Sequence, residues 1–587
     1  MTVSFIANAL CLWALLASQQ PATSPAARGA AQRPLASAFP EIERIFTSWV
    51  DRVRAPGAIM GVIVDGELVW VRAAGIADTT RRAPVTDNTV FRIASMTKSF
   101  TALAVLKLRD EGRLSLDDPA SRYVPELADL RYPTSDSPTI TIRHLLTHSE
   151  GFPEDNPWGD RQLAQPRETM SAWMRQGIPF STPPGTAYEY SNYGFAILGQ
   201  IVERVSKRPY DQYMAAEILG PLGLRDSTFE KSRVPADRLA QGYRWEDGAW
   251  KEEPILAHGT FGAMGGLWTS TRDLARYVAY QMSAWPPRDG PDPGPVRRAS
   301  LREMQQAWRW QPARTTRAAV DRPLELSVSA YGYGLGIAQN CRFRHVVSHG
   351  GGLPGYGSLM LWLPEHGVGL IGMANVTYAG WRGVFNESLA ALAETVSLKP
   401  RPVRPDPALV QAKADVSRMV SAWDAALASR VAADNLFLDQ SADRRAARLR
   451  ELAGRHGACR ADERLDAENA LRGTWRMTCE RGRLQVAITL APTMPPRVQY
   501  LSVRSIMPPG PAMQAALEGT QQRIAADAAA WGACRPGEAI GGDGVRESVV
   551  SLECERGRLI ARLVLDPADS TLTSFTLVPA GDEACVP

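Results

Sequence analysis

The chain has 587 residues, of which 45% are hydrophobic and 22% are charged. This length is more than one hydrophobic core usually serves, so we expect two or three domains. The 66 basic and 62 acidic residues leave a net charge of only +4. Without a block of like charge, this balance argues against a nucleic acid or an anionic surface as partner.

The N-terminus is predicted to be a targeting segment followed by a linker. Residues 1–20 contain an apolar run that ends in a polar Ser-Gln-Gln triplet, as in a secretory signal peptide, although no Lys or Arg precedes the run. The run is short for a spanning helix, which disfavours an uncleaved membrane anchor. Residues 21–38 have low complexity. We therefore expect an exported protein, periplasmic or secreted, with no membrane contact beyond its signal.

The next elements are a hairpin and a buried helix. Residues 59–64 and 68–74, joined by an Asp-Gly pair, predict a β-hairpin. The apolar residues within 91–108 (FRIASMTKSFTALAVLKL) cover most faces of a helix, which predicts burial. Ser95 then lies in the first turn, with Lys98 on the same face one turn later. Burial lowers the pKa of a lysine, so this pair could be a nucleophile and its base.

A Ser-x-x-Lys motif is weak evidence by itself, because a serine often caps a helix. The chain has seven lysines, and only Lys98 has a serine three residues before it. The motif is therefore unique in this chain, and residues elsewhere must decide its meaning.

Two histidines later in the chain allow a metal interpretation. His144 and His148 are four residues apart, a spacing that could bind a metal on a helix. The glutamate that a zinc-protease helix needs is missing, which favours packing or hydrogen bonding. We expect neither a metal nor another cofactor.

A second polar motif is Tyr190-x-Asn192, which occurs once in the chain. It stands in a loop before a predicted helix over residues 194–205. Two side chains at this spacing can both face one cleft, whereas the alternative is aromatic packing with a helix cap.

The segment from 331 to 395 is predicted to complete a sheet. It contains a glycine-rich motif, His349-Gly350-Gly351-Gly352, after the second of its strands. The predicted elements are strands 331–338, 344–348, 358–363 and 367–374 and a helix over 381–395. Together with the first hairpin they predict an α+β (α/β) fold with an antiparallel sheet flanked by helices.

Four prolines in residues 397–407 predict a linker to a duplicated region. Gly457-Ala-Cys459-Arg recurs 75 residues later, and so does the segment that starts at Cys479. We expect a pair of repeated small α+β domains over 408–505 and 506–587. Each would have a helix before its first cysteine, over 444–454 and 513–530, and neither has residues that look catalytic.

Six cysteines follow the signal, and an even number in an exported chain suggests disulfides. The matched spacing of the repeats predicts Cys459–Cys479 and Cys534–Cys554. Cys341 and Cys585 could tie the C-terminal tail to the first domain.

Three motifs occur in a fixed order: Ser95-x-x-Lys98, Tyr190-x-Asn192 and His349-x-Gly351. With the stretches RHLLTH, YEYSNYGFAILGQIVE, GGLWTSTRDLARY and SHGGGLPGYGS, residues 41–395 resemble the serine β-lactamase and penicillin-binding-protein superfamily. The resemblance is to its class C β-lactamase and D-alanyl-D-alanine peptidase side. It implies a hydrolase domain over 39–396 with an all-helical subdomain.

The resemblance implies catalytic roles for three residues. Ser95 would be the acylated nucleophile, Lys98 would take its proton, and Tyr190 would be a general base or acid helped by the local positive field. The backbone N–H groups of Ser95 and Gly352 would form the oxyanion hole.

The resemblance also implies substrate contacts. Asn192 would hold the substrate amide, and His349-x-Gly351 would form the strand edge along which substrate lies. In β-lactamases a lysine usually begins this third motif. His349 is largely neutral near pH 7, which weakens the case for substrates with a carboxylate.

The sequence therefore predicts an exported serine hydrolase that forms an acyl-enzyme on a small-molecule or peptide substrate: a peptide, a D-amino-acid amide or an ester. A β-lactamase or penicillin-binding D,D-peptidase is the alternative within this class. A catalytically inactive binding or scaffold protein is the alternative outside it. Specificity is expected to reside in loops 152–182 and 284–330. The oligomeric state stays open.

Overall fold

The computed structural model describes residues 35–316, 325–394, 398–555 and 557–580. The predicted signal peptide, residues 1–20, lies outside these ranges, and so does Cys585 with its suggested pairing to Cys341. Within them, no helix is long and apolar enough to cross a membrane.

The first domain is built on an antiparallel sheet that has ten strands over the described residues. The predicted hairpin lies near one edge of this sheet, where Gly57–Val64 pairs with Glu67–Asp78 on one side and with Val368–Ala374 on the other. The strands are β1 (Gly57–Val64), β2 (Glu67–Asp78), β3 (Ala83–Pro84), β4 (Arg309–Trp310), β5 (Arg314–Thr316), β6 (Glu325–Tyr331), β7 (Gly336–Asn340), β8 (Val346–Leu353), β9 (Tyr356–Leu363) and β10 (Val368–Ala374). Their order is β3-β2-β1-β10-β9-β8-β7-β6-β4, with β5 also paired to β6.

Helices cover both faces of this sheet and form a subdomain beside it. They are α1 (Phe39–Val53), α2 (Thr97–Asp110), α3 (Ile142–Leu146), α4 (Asn156–Gly159), α5 (Arg167–Gln176), α6 (Asn192–Ser206), α7 (Tyr210–Met214), α8 (Gly262–Gly265), α9 (Thr271–Met282), α10 (Arg298–Met304) and α11 (Arg382–Glu394). Two short two-stranded sheets also lie in the helical region: Val90–Arg92 with Trp268–Ser270, and Tyr243–Glu246 with Ala249–Glu252. The fold is the predicted α+β class.

Strand β1 shows why both faces are covered. Ile59 and Ile63 belong to the large core that includes α2, whereas Met60 and Val62 belong to the core beneath α1 and α11. Successive side chains of a strand point to opposite faces. A strand of eight buried residues therefore requires a helical layer on each side.

The folded region extends further towards the N-terminus than predicted. Residues Ala36–Ala38 form a 3-10 turn that leads into α1, and Leu35 and Ala38 are each only 4% exposed. Both side chains pack in the core beneath α1. The domain thus includes Leu35, whereas it was expected to begin at residue 39, because these apolar side chains complete that core.

The prediction of one strand over 331–338 was wrong, since a tight turn divides the segment. The N–H of Gly332 donates to the carbonyl of Leu335 at 2.8 Å. Gly334 has a φ of +65°, and a Cβ there would lie 2.7 Å from the carbonyl oxygen of Lys98. The turn therefore packs directly on the backbone of α2, which only a glycine permits.

The two C-terminal repeats have separate apolar cores but a common sheet. The strands are β11 (Cys459–Ala461), β12 (Asp466–Asn469), β13 (Arg472–Cys479), β14 (Arg483–Leu490), β15 (Val498–Ile506), β16 (Cys534–Gly542), β17 (Glu547–Cys554), β18 (Gly557–Leu565) and β19 (Leu572–Pro579). A single parallel pair, Ile506 with Gly542, joins β15 to β16. The repeats are thus halves of one sheet.

The helices of this region partly match the predictions. They are α12 (Pro407–Ser421), α13 (Ala425–Val431), α14 (Leu436–Asp439), α15 (Ala442–His456), α16 (Pro511–Gly519) and α17 (Gln521–Asp527). Helix α15 contains the predicted helix 444–454. The helix predicted over 513–530 is divided at Thr520, where the backbone leaves helical geometry with ψ 0°.

Both disulfides predicted from the repeat are confirmed. Cys459 faces Cys479 across β11 and β13, and Cys534 faces Cys554 across β16 and β17. The Cα–Cα distances are 4.0 and 3.9 Å. Each disulfide therefore joins neighbouring strands at the same place in its repeat.

The proline-rich linker is attached to the first domain. The N–H of Arg401 donates to the carbonyl of Glu365 at 2.6 Å. Its guanidinium donates to the carbonyl of Trp285 at 3.2 Å and forms an ion pair with Asp65. These contacts hold the linker against the sheet of the first domain.

Gly351→Ala is expected to destabilise the protein by about 1–3 kcal/mol, because overpacking has this cost. A Cβ at Gly351 would lie 2.1 Å from the carbonyl oxygen of Ile93 and 2.3 Å from Ser358 Oγ. The neighbouring Gly350→Ala is the control, since its Cβ would have no contact closer than 3.8 Å. Urea unfolding measures both variants, and equal stabilities would contradict the expectation.

Candidate active site

Ser95 lies in a 3-10 turn, Ala94–Met96, directly before α2. Its predecessor Ala94 has a φ of +51°, a left-handed conformation that is costly for a residue with a Cβ. The apolar α2 is buried over most of its length, as its sequence predicts. The strained turn places Ser95, 6% exposed, at the wall of a cleft.

Lys98 is completely buried behind Ser95. Its ammonium nitrogen Nζ lies 3.0 Å from Ser95 Oγ, 2.6 Å from Asn192 Oδ1 and 3.1 Å from the carbonyl oxygen of Met264. Three acceptors from three segments therefore fix the amine beside the serine hydroxyl.

Burial lowers the pKa of Lys98 to about 7, while the carboxylates of Asp160 and Asp155 act in the opposite direction. The charged form loses its hydration in the core, and nearby negative charge restores part of that loss. A substantial fraction of Lys98 is thus neutral near pH 7 and can accept a proton from Ser95.

Tyr190 completes the predicted catalytic group. It lines the cleft wall together with Ser95, and Lys98 Nζ lies 4.7 Å from the centre of its ring. Burial nevertheless raises the pKa of Tyr190 well above its ordinary value. The phenol is therefore protonated at neutral pH, which differs from the expectation that a positive field would help it to act as a base.

Asn192 is buried and both ends of its side-chain amide are engaged. Oδ1 accepts from Lys98, and Nδ2 donates to Asn156 Oδ1 at 3.1 Å. The side chain is fully buried and does not line the cleft, so the expected contact with a substrate amide would require its surroundings to rearrange. In this structure Asn192 positions Lys98.

The two histidines of RHLLTH do not share a helix face, because α3 ends at Leu146. His144 Nδ1 accepts the N–H of Thr141 as part of a helix cap. His148 Nδ1 accepts the N–H of Ser191, and its carbonyl accepts the N–H of Glu189. The second histidine therefore holds the Tyr190 loop, and the described residues contain no group of three or more metal-binding side chains.

Strand β8 presents an open edge where the third motif lies. Its pairing with β7 stops at Ser348, whereas its pairing with β9 continues to Leu353. From His349 onward, one edge of β8 has no partner strand among the described residues and borders the cleft. This is the edge expected to receive an extended substrate.

His349 is neutral in this structure. Its Nδ1 lies 2.6 Å from the carbonyl of Gly350 and its Nε2 lies 2.8 Å from the hydroxyl of Tyr331. A carbonyl only accepts, so Nδ1 carries the hydrogen and Nε2 accepts from Tyr331. Burial and the charge of Lys98 lower the pKa of His349 to about 3.

The cleft has a volume of about 520 Å³. It contains four of the predicted site residues on its wall: Ser95, Tyr190, His349 and Gly352. Lys98 and Asn192 lie behind that wall, and Gly351 packs against the Ser95 turn. The other residues that line it are Asn156, Pro157, Asp160, Tyr188, Gln311, Tyr331, Gly336, Ser348, Gly350, Tyr378 and Arg382.

The sequence of this domain also matches a known family. The family model described as Beta-lactamase covers residues 42–395, more than half of the chain. The chain belongs to the beta-lactamase family. Every residue of the cleft lies inside this beta-lactamase domain, and the C-terminal sheet lies outside it.

Curated relatives resemble the beta-lactamase domain at moderate identity. Protein flp of Staphylococcus aureus (strain MW2) is 28% identical over 346 residues, which are 57% of this chain and 63% of that protein. Beta-lactamase-like protein 2 of Dictyostelium discoideum is 31% identical over 260 residues, 43% of this chain and 47% of that protein. The chain thus matches less than two thirds of the length of either relative.

A solved structure shares the fold. The octameric penicillin-binding protein homologue from Pyrococcus abyssi aligns with a TM-score of 0.52 and 21% sequence identity. The alignment covers 92% of this chain and 98% of that one. The similarity therefore supports the fold beyond the limits of the beta-lactamase domain.

Asp160 is the functional candidate that the sequence analysis missed. It is 3% exposed at the cleft wall, and its Oδ2 accepts the hydroxyl of Tyr378 at 3.0 Å. Its Oδ1 is buried without a hydrogen-bond partner. Burial raises the pKa of Asp160 to about 6. Asp160 lies in the predicted specificity loop 152–182, but no motif marks it.

Acylation of Ser95 is expected to accelerate as pH rises through about 7, because Lys98 must lose its proton to act as base. Asp160→Asn removes a charge that raises the pKa of Lys98, so the midpoint should move to lower pH. The rate of Ser95 labelling by a fluorophosphonate probe, measured as a function of pH, gives this midpoint. Asp247→Asn is the control, because this side chain is 78% exposed and does not line the cleft. An unchanged midpoint in Asp160→Asn would contradict the coupling.

Proposed function

We propose that this protein is an exported serine hydrolase that acts through an acyl-enzyme on Ser95. The observation that carries the proposal is the 3.0 Å contact between Ser95 Oγ and a buried lysine amine whose pKa is about 7. A serine hydroxyl needs a nearby base to become a nucleophile, and Lys98 meets that need in both distance and protonation.

In the proposed reaction, Ser95 Oγ attacks the substrate carbonyl carbon while its proton moves to neutral Lys98. Ser95 and Gly352 both line the cleft, and their N–H groups would hold the developing oxyanion. Tyr190, which is protonated and lines the cleft with Ser95, would pass a proton to the leaving group and regain one from Lys98. Water then hydrolyses the ester on Ser95 by the same groups in reverse.

Asp160 and Arg382 are charged side chains that line the cleft, and the carboxylate is the one whose field acts on Lys98. The charge beside the nucleophile therefore favours a substrate ammonium group over a carboxylate. His349 is neutral where β-lactamases usually have a lysine, and Asp160 places a carboxylate near the nucleophile. We therefore favour D-amino-acid amides, peptides with a free amino group and the corresponding esters. A β-lactam or a D,D-peptide has a carboxylate, which this arrangement does not favour.

Export is supported by two observations. The N-terminus resembles a secretory signal peptide, and two disulfides are formed in the C-terminal sheet. Such bonds persist in oxidising compartments. We infer that the duplicated disulfide segments are adapted to the periplasm or the cell exterior.

Ser95→Ala is expected to abolish acyl-enzyme formation, because no other group can replace the attacking oxygen. Intact mass spectrometry of the full chain with a D-alanyl anilide, a p-nitrophenyl ester and nitrocefin should show an adduct in the native protein only. Ser135→Ala, at an exposed serine, is the control. Absence of any adduct on folded native protein would favour the binding or scaffold alternative.

Asp160→Asn is expected to reduce the preference for D-alanyl-p-nitroanilide over its N-acetyl derivative by roughly ten- to a hundredfold in kcat/KM, the usual value of a hydrogen bond to a charged group. The assay is run at about pH 7, where Asp160 is largely ionised and the amino group of the substrate is largely protonated. Asp247→Asn should keep the native ratio. An equal ratio of the two kcat/KM values in all three proteins would show that Asp160 takes no part in substrate recognition.

A further inference from the structure

A groove separates the two repeats on the C-terminal sheet. Its volume is about 1100 Å³, compared with about 520 Å³ for the active-site cleft. Helix α15 forms one wall, β14 and β15 form the floor, and the β16–β17 hairpin forms the other wall. The groove therefore exists only where the repeats meet.

Five arginines line this groove from three sides. Arg444, Arg448 and Arg455 project from one face of α15, with spacings of four and seven residues. Arg504 comes from the floor and Arg546 from the opposite wall. The positive groups thus converge on one space although their elements are distant in sequence.

The carboxylates in the groove are already engaged. Glu451 forms an ion pair with Arg455 at 2.8 Å, and Glu547 forms one with Arg562 at 2.8 Å. Asp543 accepts three successive backbone N–H groups at 2.8–3.1 Å. Five arginines thus face three acids in the groove, and one of those acids, Glu547, pairs with Arg562 outside it, so the groove has a net positive charge.

Four of the guanidinium groups in the groove are therefore without an ion pair among the described residues. Arg444, Arg448, Arg504 and Arg546 form no ion pair with any residue in the part of the chain that the structure describes. This concentration of positive charge contrasts with the near balance of the whole chain, +4 over 587 residues.

The repeat itself does not require these arginines. At the 75-residue offset, the counterparts of Arg444 and Arg504 are Gly519 and Pro579, and the counterpart of Arg546 is Leu471. Only Arg448 has an arginine as counterpart, Arg523, and that residue lies 3.5 Å from Asp527 in an ion pair. The same scaffold thus forms without the arginine cluster, so the fold alone does not explain why arginines occupy these positions.

We propose that this groove binds a small polyanion, a molecule with two or more phosphate or carboxylate groups. The planar guanidinium fork matches such groups with paired hydrogen bonds, which makes arginine the preferred residue for them. Several forks around one space would engage several anionic groups at once. This ligand site is separate from the hydrolase cleft and gives the C-terminal repeats a function.

The test is isothermal titration calorimetry of the full chain with tripolyphosphate and with citrate, at low and at physiological salt. The variant is Arg448→Gln/Arg504→Gln/Arg546→Gln. The control is Arg450→Gln/Arg460→Gln/Arg535→Gln, which removes the same charge at exposed arginines outside the groove. We expect the groove variant to bind roughly tenfold more weakly or worse and the control to stay within about twofold of native.

Tighter binding of tripolyphosphate would identify a phosphate ligand, and tighter binding of citrate a carboxylate ligand. Thermal unfolding and Ser95 labelling verify that the variants are folded. The proposal is overturned if neither anion binds the native chain, or if the control loses as much affinity as the groove variant.

Discussion

The burial of the Lys98 amine is the constraint on which the first domain depends. A lysine ammonium in a protein core is costly unless polar groups surround it. Here the surroundings come from Ser95, from Asn192 at the start of α6 and from the carbonyl of Met264 in α8. The carboxylates of Asp155 and Asp160 add opposite charge. Satisfying one amine therefore brings together the parts of the active site.

The same arrangement depends on how closely backbones approach. The turn at Gly334 touches the backbone of α2 at Lys98, and Gly351 lets β8 lie against the turn that holds Ser95. The pairing of β8 with β7 stops at Ser348, which leaves that edge of the next residues of β8 open towards the cleft. Close packing behind the nucleophile and an open edge in front of it are thus two consequences of one sheet geometry.

The C-terminal region shows how a duplicated scaffold acquires asymmetry. Each repeat has its own core and a disulfide at the same place, so the fold of each half depends on repeated positions. Four of the five arginines of the groove stand at positions whose counterparts are different residues, and only Arg448 matches an arginine. Stability therefore depends on the repeated positions, whereas the charge of the groove depends on positions that the repeats do not share.

Several features were determined by local sequence alone. The hairpin at Asp65-Gly66, the buried helix after Ser95 and the pairing of Ser95 with Lys98 follow from short-range spacing, and the structure has all of them. The repeat correctly predicted both disulfides, because equal offsets place cysteines at equal positions of paired strands. The three motifs in order, together with the stretches around them, predicted the family, and the pattern of strands and helices predicted the fold class.

Only the tertiary structure decided how these residues are protonated and which of them reach the cleft. The pKa of Lys98 depends on Asp155 and Asp160, which follow it by about sixty residues and flank the short helix α4, where no motif marks them. Asn192 lies behind the cleft wall because Lys98 and Asn156 hold its amide there. Desolvation and charge act through space, at distances that packing alone sets, so a spacing along the chain cannot predict them.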